Sequence, residues 1–182
     1  MNITLVRHAQ VDEKFKGRYN GHLDISLSNY GKTQARELGV KLQKLHFDKV
    51  YCSDLKRARE TLKEFDLELP TIFSEKLREK SWGIHEGKSF EEIEKSGIKY
   101  TNFQEWIDTL DGENSTDYRK KVKEYFYTVI VKDSAKSILI VTHGGLISTL
   151  FSIVKDISLE EAFQNNVEYA SLVELNIPLN LT

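Results

Sequence analysis

The chain has 182 residues, 40% hydrophobic and 30% charged, enough for one domain with a sizeable core, expected over residues 1–182. Its 26 Lys and Arg nearly balance 28 Asp and Glu, for a formal net charge of −2, so no global field draws it to nucleic acid or an anionic membrane. The single cysteine, Cys52, excludes an intramolecular disulfide and suits a cytoplasmic location.

In chain order, Ile3-Thr4-Leu5-Val6 reads as a short buried strand. The N-terminus lacks the apolar core and cleavage site of a signal peptide, and no apolar run reaches bilayer length. Residues 11–28, with Gly17, Asn20, Gly21 and Asp24, read as a loop. From Gly31, Ala35, Leu38, Leu42 and Leu45 recur at helical spacing. Lys49 to Cys52 reads as a second strand, and Leu55, Ala58, Leu62 and Phe65 mark a second amphipathic helix. Ser89-Phe90-Glu91-Glu92 is a capping-box pattern, with Gly97 as a stop. Tyr118, Val122, Tyr125, Phe126, Val129 and Ile130 predict a longer helix. Ser137 to Thr142 is the clearest strand; His143-Gly144-Gly145 and an apolar helix to Val154 follow. Ser158-Leu159-Glu160-Glu161 is a second capping-box pattern, and Tyr169 to Leu175 reads as a last strand. The alternation predicts an α/β fold, a three-layer sandwich with a largely parallel central sheet flanked by helices.

Sites in such sheets gather beyond the carboxyl ends of strands. That rule selects Arg7-His8, Ser53-Asp54-Leu55-Lys56-Arg57 and His143-Gly144-Gly145. Guanidinium forks match phosphate oxygens, helix N-termini favour anions, and two glycines permit close backbone approach. A pocket for a dianionic phosphate is the combined expectation. His8 is the candidate nucleophile, with one ring nitrogen free and the other fixed by a hydrogen bond. Glu79 is the candidate acid for the departing oxygen, a role that needs a raised pKa. Taken singly, each has a blander reading: a histidine after a strand is usually structural, Arg57 is usually a solvated helix charge, and a lone Glu is common. Their joint occurrence at three strand ends singles them out.

Beyond these positions, Leu5-Val6-Arg7-His8-Ala9 resembles the Arg-His-Gly signature of the histidine phosphatase superfamily, also called phosphoglycerate mutase-like. Gly21 to Gly31 with Gln34-Ala35 is similar to a second family stretch, and Ser53 to Thr61 to a third. Leu77-Arg78-Glu79 with Trp82 to Gly87 resembles the acid loop, and Ile138 to Ile147 the second-histidine strand. The resemblance implies that His8 forms a phosphohistidine, that Arg7, Arg57 and His143 clamp the phosphate, and that Glu79 donates the proton. It further implies that Asn20 and Gly21 meet the rest of the substrate, and that no metal or other cofactor takes part. Two departures stand out: Ala9 replaces the usual glycine, and Lys14 stands where many members carry a phosphate-binding Asn. Glu113-Asn114-Ser115 lies near the family's Gly-Glu-Ser.

Other motifs fail. Gly83 to Ser89 is one residue short of a P-loop, Ala58 stands where Cys-x5-Arg needs its arginine, and no Cys/His zinc pattern occurs. His46 reads as a surface residue, and His22 and His85 as loop histidines beside the cleft. The expected activity is a phosphatase acting on a small phosphomonoester, near the α-ribazole-phosphate and broad-specificity types, without nucleic-acid or membrane partners. The alternatives are a phosphoglycerate mutase and a non-catalytic binder. Family mutases are longer, and the short stretch between Gly87 and Ser137 leaves less room to enclose an intermediate. Natural substrate and oligomeric state stay open.

Overall fold

A computed structural model describes residues 1–165 and 167–176. Its five strands are β1 (Asn2–Arg7), β2 (Lys49–Ser53), β3 (Thr71–Ser74), β4 (Ser137–Thr142) and β5 (Leu172–Asn176). They form one sheet in the order β3-β2-β4-β1-β5. The β3-β2, β2-β4 and β4-β1 pairs are parallel, and β5 runs antiparallel to β1. The helices are α1 (Asn29–Leu42), α2 (Lys56–Lys63), α3 (Phe90–Glu94), α4 (Phe103–Thr109), α5 (Ser115–Tyr125), α6 (Gly144–Val154) and α7 (Leu159–Gln164).

Strand side chains alternate between faces, and here both faces are covered. Ile3, Leu5, Tyr51, Ile138 and Ile140 pack with Tyr118 and Val122 of α5 and Leu146 and Leu150 of α6. Val6, Val50, Cys52, Leu139 and Val141 pack with Ala35, Leu38 and Leu42 of α1 and Ala58 of α2. The three expected layers are therefore present. A third cluster of Trp82, Ile93, Trp106, Ile107 and Leu110 packs the segment between β3 and α5.

Capping chemistry sets several helix starts. Ser28 accepts from Gly31 N–H to open α1. Ser89 and Glu92 form a reciprocal capping box on α3, and Gly97 follows at φ 86°. At α7, Ser158 accepts from Glu161 N–H. Three expectations need correction. α1 ends at Leu42, so Leu45 lies beyond it and is exposed. The helix expected to reach Ile130 is regular only to Tyr125 and continues as a wider π turn over Phe126–Ile130. The last strand starts at Leu172 rather than Tyr169, because Ala170 takes a left-handed φ of 53° and turns the chain first. No helix among the described residues is long and apolar enough to cross a membrane.

Candidate active site

β1, β4 and β2 are neighbours, with Arg7 paired to Thr142 and Cys52 to Val141, so their carboxyl ends finish level. The three strand-end segments singled out in the sequence thus meet. A cleft of about 340 Å³ opens there, lined among others by Arg7, His8, Asn20, Gly21, Arg57 and Glu79.

His8 is 6% exposed, and its Nδ1 lies 2.8 Å from the Ala9 carbonyl oxygen. A carbonyl only accepts, so Nδ1 carries the proton and donates. Nε2 then holds a lone pair. Burial first, then the positive charges of Arg57 and Arg7, hold the imidazole well below its usual pKa. Ala9, 0% exposed, is absent from the positive-φ residues, so alanine fits there without backbone strain. Its N–H donates to Thr61 Oγ1 at 3.0 Å.

Arg57 departs most from the usual behaviour of its residue type. Only 1% exposed, it points from α2 into the protein. Of a guanidinium's five N–H donors, Nε bonds His143 Nδ1 at 3.2 Å, Nη1 the Leu23 carbonyl at 2.7 Å and Nη2 the Gly21 carbonyl at 2.7 Å. Burial lowers its pKa to about 10, which leaves it charged at neutral pH. Arg7 donates from Nη1 to the Val167 carbonyl at 2.5 Å and lies 4.0 Å over the Tyr169 ring, while its buried Nε has no partner.

His143 is fully buried, its ring 5.1 Å from that of His8 in a T-shaped contact. Nδ1 accepts from Arg57, so Nε2 carries the proton and donates to Ser53 Oγ at 2.8 Å. Both nitrogens are therefore engaged within the protein. Burial first, then Arg57, His8 and Arg7, keep this imidazole neutral.

Glu79 reaches the cleft from the loop after β3. Its Oε2 accepts from Gly145 N–H at 2.9 Å, in the first turn of α6. A Cβ on Gly145 would lie 2.3 Å from Glu79 Oε1, so the glycine makes room for the carboxyl. Asn20 donates from Nδ2 to the Phe15 carbonyl at 2.7 Å, which fixes the amide, and its buried Oδ1 has no partner. Gly21 has φ 44°, and a Cβ there would meet Glu86 Oε1 at 2.2 Å.

Further contacts around the cleft are visible only in the structure. Glu86 Oε1 accepts from His22 N–H, Ser81 Oγ and Trp82 N–H at 2.9, 3.0 and 3.1 Å, tying the two cleft loops together. Tyr169, expected within a strand, stacks on Arg7. Tyr19, Trp82, Phe90 and Phe163 add an aromatic wall. Glu113 pairs with Lys121 and accepts from Ser81 N–H at 2.8 Å. Lys14 is exposed and off the cleft wall. His46 is exposed as expected, and His85 is buried away from the cleft.

Known proteins resemble this chain along most of its length. A broad-specificity phosphatase of Saccharomyces cerevisiae is 32% identical over 167 residues, covering 85% of this chain and 70% of the relative. A 2,3-bisphosphoglycerate-dependent phosphoglycerate mutase of Lachnoclostridium phytofermentans is 28% identical, covering 92% and 82%. The fold matches the solved α-ribazole phosphatase of Shigella flexneri with a TM-score of 0.85 at 24% identity, covering 98% of this chain and 92% of that one. The family model of the histidine phosphatase superfamily (branch 1) matches residues 3–180, and the chain belongs to that superfamily.

Proposed function

We propose that the protein is a phosphomonoester phosphatase that works through a phosphohistidine on His8. The observation that carries this reading is the fixed tautomer of His8, with Nδ1–H spent on Ala9 and Nε2 left with its lone pair, in a ring that burial and the charges of Arg57 and Arg7 hold neutral. In the first step the Nε2–P bond forms as the ester P–O bond breaks, and Glu79 gives its proton to the leaving oxygen. In the second, water attacks phosphorus as the N–P bond breaks, and Glu79 takes the water's proton. Arg7 and the uncommitted N–H groups of Arg57 face the phosphoryl oxygens and stabilise the charge they carry in the transition state. His143 holds Arg57 in that orientation through Nδ1.

A specific feature favours hydrolysis over mutase chemistry. Besides Arg7 and Arg57, the lining cation is Arg18, which is already paired with Glu92 and donates to the Gly87 carbonyl. The carboxylate of a phosphoglycerate therefore meets no unpaired cation beyond the phosphate clamp among the described lining residues, whereas the aromatic wall suits an uncharged leaving group. Product analysis tests this. The protein should release inorganic phosphate from a panel of phosphomonoesters with uncharged leaving groups and leave 3-phosphoglycerate unisomerised. Conversion of 3-phosphoglycerate to 2-phosphoglycerate faster than phosphate release would reverse the assignment.

A further inference from the structure

The loop that carries Glu79 is gripped at three consecutive carbonyls by side chains from three other parts of the chain. Thr142 Oγ1 of β4 donates to Leu77 O at 2.7 Å, the Tyr118 hydroxyl of α5 to Arg78 O at 2.9 Å, and His22 Nε2 of the cleft loop to Glu79 O at 2.9 Å. Surface-loop carbonyls commonly bond water, so three such anchors in succession hold the backbone far more firmly than a loop needs merely to connect elements. The Arg78 side chain adds a two-pronged bond to Asp54 at 2.7 and 2.5 Å.

His22 sits where two functional groups connect. The carbonyls on either side of it, Gly21 and Leu23, are both held by Arg57 at 2.7 Å. Its own N–H is held by Glu86 at 2.9 Å. One residue therefore joins the guanidinium assigned to the phosphoryl group to the carboxyl assigned to the leaving oxygen. Tyr118 is 3% exposed, and burial, with the charges of Glu79 and Glu113, raises its pKa well above the usual phenol value, so it stays a donor.

We propose that His22 and Tyr118 are positioning residues that hold the backbone of Glu79 in register with Arg57, so that its carboxyl meets the leaving oxygen when the phosphoryl group is bound. The proposal rests on the reading of Glu79 as proton donor. Neither residue touches the reacting atoms; each acts through the acid. Misplacing a catalytic group by about 1 Å costs on the order of 10²-fold in rate.

The test is single-turnover phosphorylation of His22→Ala, His22→Gln, Tyr118→Phe and Glu79→Gln with p-nitrophenyl phosphate and with an alkyl phosphate. Only the alkyl substrate depends strongly on proton donation. His22→Ala and Tyr118→Phe should lose roughly 10- to 100-fold on the alkyl phosphate and less than about threefold on p-nitrophenyl phosphate, with KM little changed. His22→Gln keeps a side-chain N–H of similar reach and should recover most of the loss. Activity on p-nitrophenyl phosphate itself reports an intact site in each variant. Equal losses on both substrates, or none, beside a selective loss in Glu79→Gln would overturn the positioning roles alone. An unselective loss in Glu79→Gln would overturn the acid assignment, and the positioning proposal with it.

Discussion

His8 has the protonation state that its proposed role as nucleophile requires. A protonated imidazole has no lone pair to offer phosphorus, and burial beside Arg57 and Arg7 holds it neutral well below the usual imidazole range. His143 is held neutral by the same causes. Nitrogen-detected NMR of the two rings should find both neutral at pH 6, with His8 protonated on Nδ1; a His8 midpoint at or above about 6.5, the unperturbed value, would contradict this. The linkage has a definite sign. Both folded pKa values are depressed, so the stability they contribute is complete above about 6.5 and is lost as pH falls below it, where the unfolded chain binds protons that the folded chain does not. Arg7-His8 and His143 were legible because each directly follows an apolar strand. The burial of Arg57 was not, since Lys56-Arg57-Ala58-Arg59-Glu60 is polar throughout and only the packed structure shows which of its charges turns inward.

At the scale of elements, two glycines separate packing from chemistry. A Cβ on Gly39 of α1 would lie 2.7 Å from Phe65 Cα, a backbone atom that cannot swing aside. A Cβ on Gly145 of α6 would lie 2.3 Å from Glu79 Oε1, the far end of a side chain that can rotate away. Gly39→Ala should therefore destabilise by about 1–3 kcal/mol while leaving the turnover of folded molecules intact. Gly145→Ala should leave the denaturation midpoint nearly unchanged and reduce turnover of an alkyl phosphate by about tenfold or more, because the carboxyl of the proposed acid is displaced. Denaturant titration and steady-state kinetics on the two variants check the contrast; the reverse pattern would contradict it. Long apolar elements were readable from periodicity, β4 most clearly. β3 was missed because Ile72 and Phe73 lie exposed at the sheet edge, so the strand shows no buried run. α4 was missed because Trp106 and Ile107 bury against a local cluster rather than the main core, too few residues to give a period.

At the scale of the whole molecule, the parallel order of β2, β4 and β1 does the assembling. Residues 7, 57 and 143 are remote in sequence, yet each lies at or just beyond the carboxyl end of one of these strands, and those ends finish level. That convergence was readable once the strands were. The second tier was not: Glu86, His22 and Tyr118 tie loops from different parts of the chain through contacts with no sequence period. The proposed mechanism requires a covalent bond between phosphorus and His8. Rapid mixing with a phosphomonoester, acid-free quenching and peptide mapping by mass spectrometry measure that bond directly. A single phosphoryl group should appear on His8, form at least as fast as turnover, and be absent in a folded His8→Ala variant that has lost activity by several orders of magnitude. Turnover with no phosphorylated protein, or a phosphoryl group on any other residue, would contradict the account.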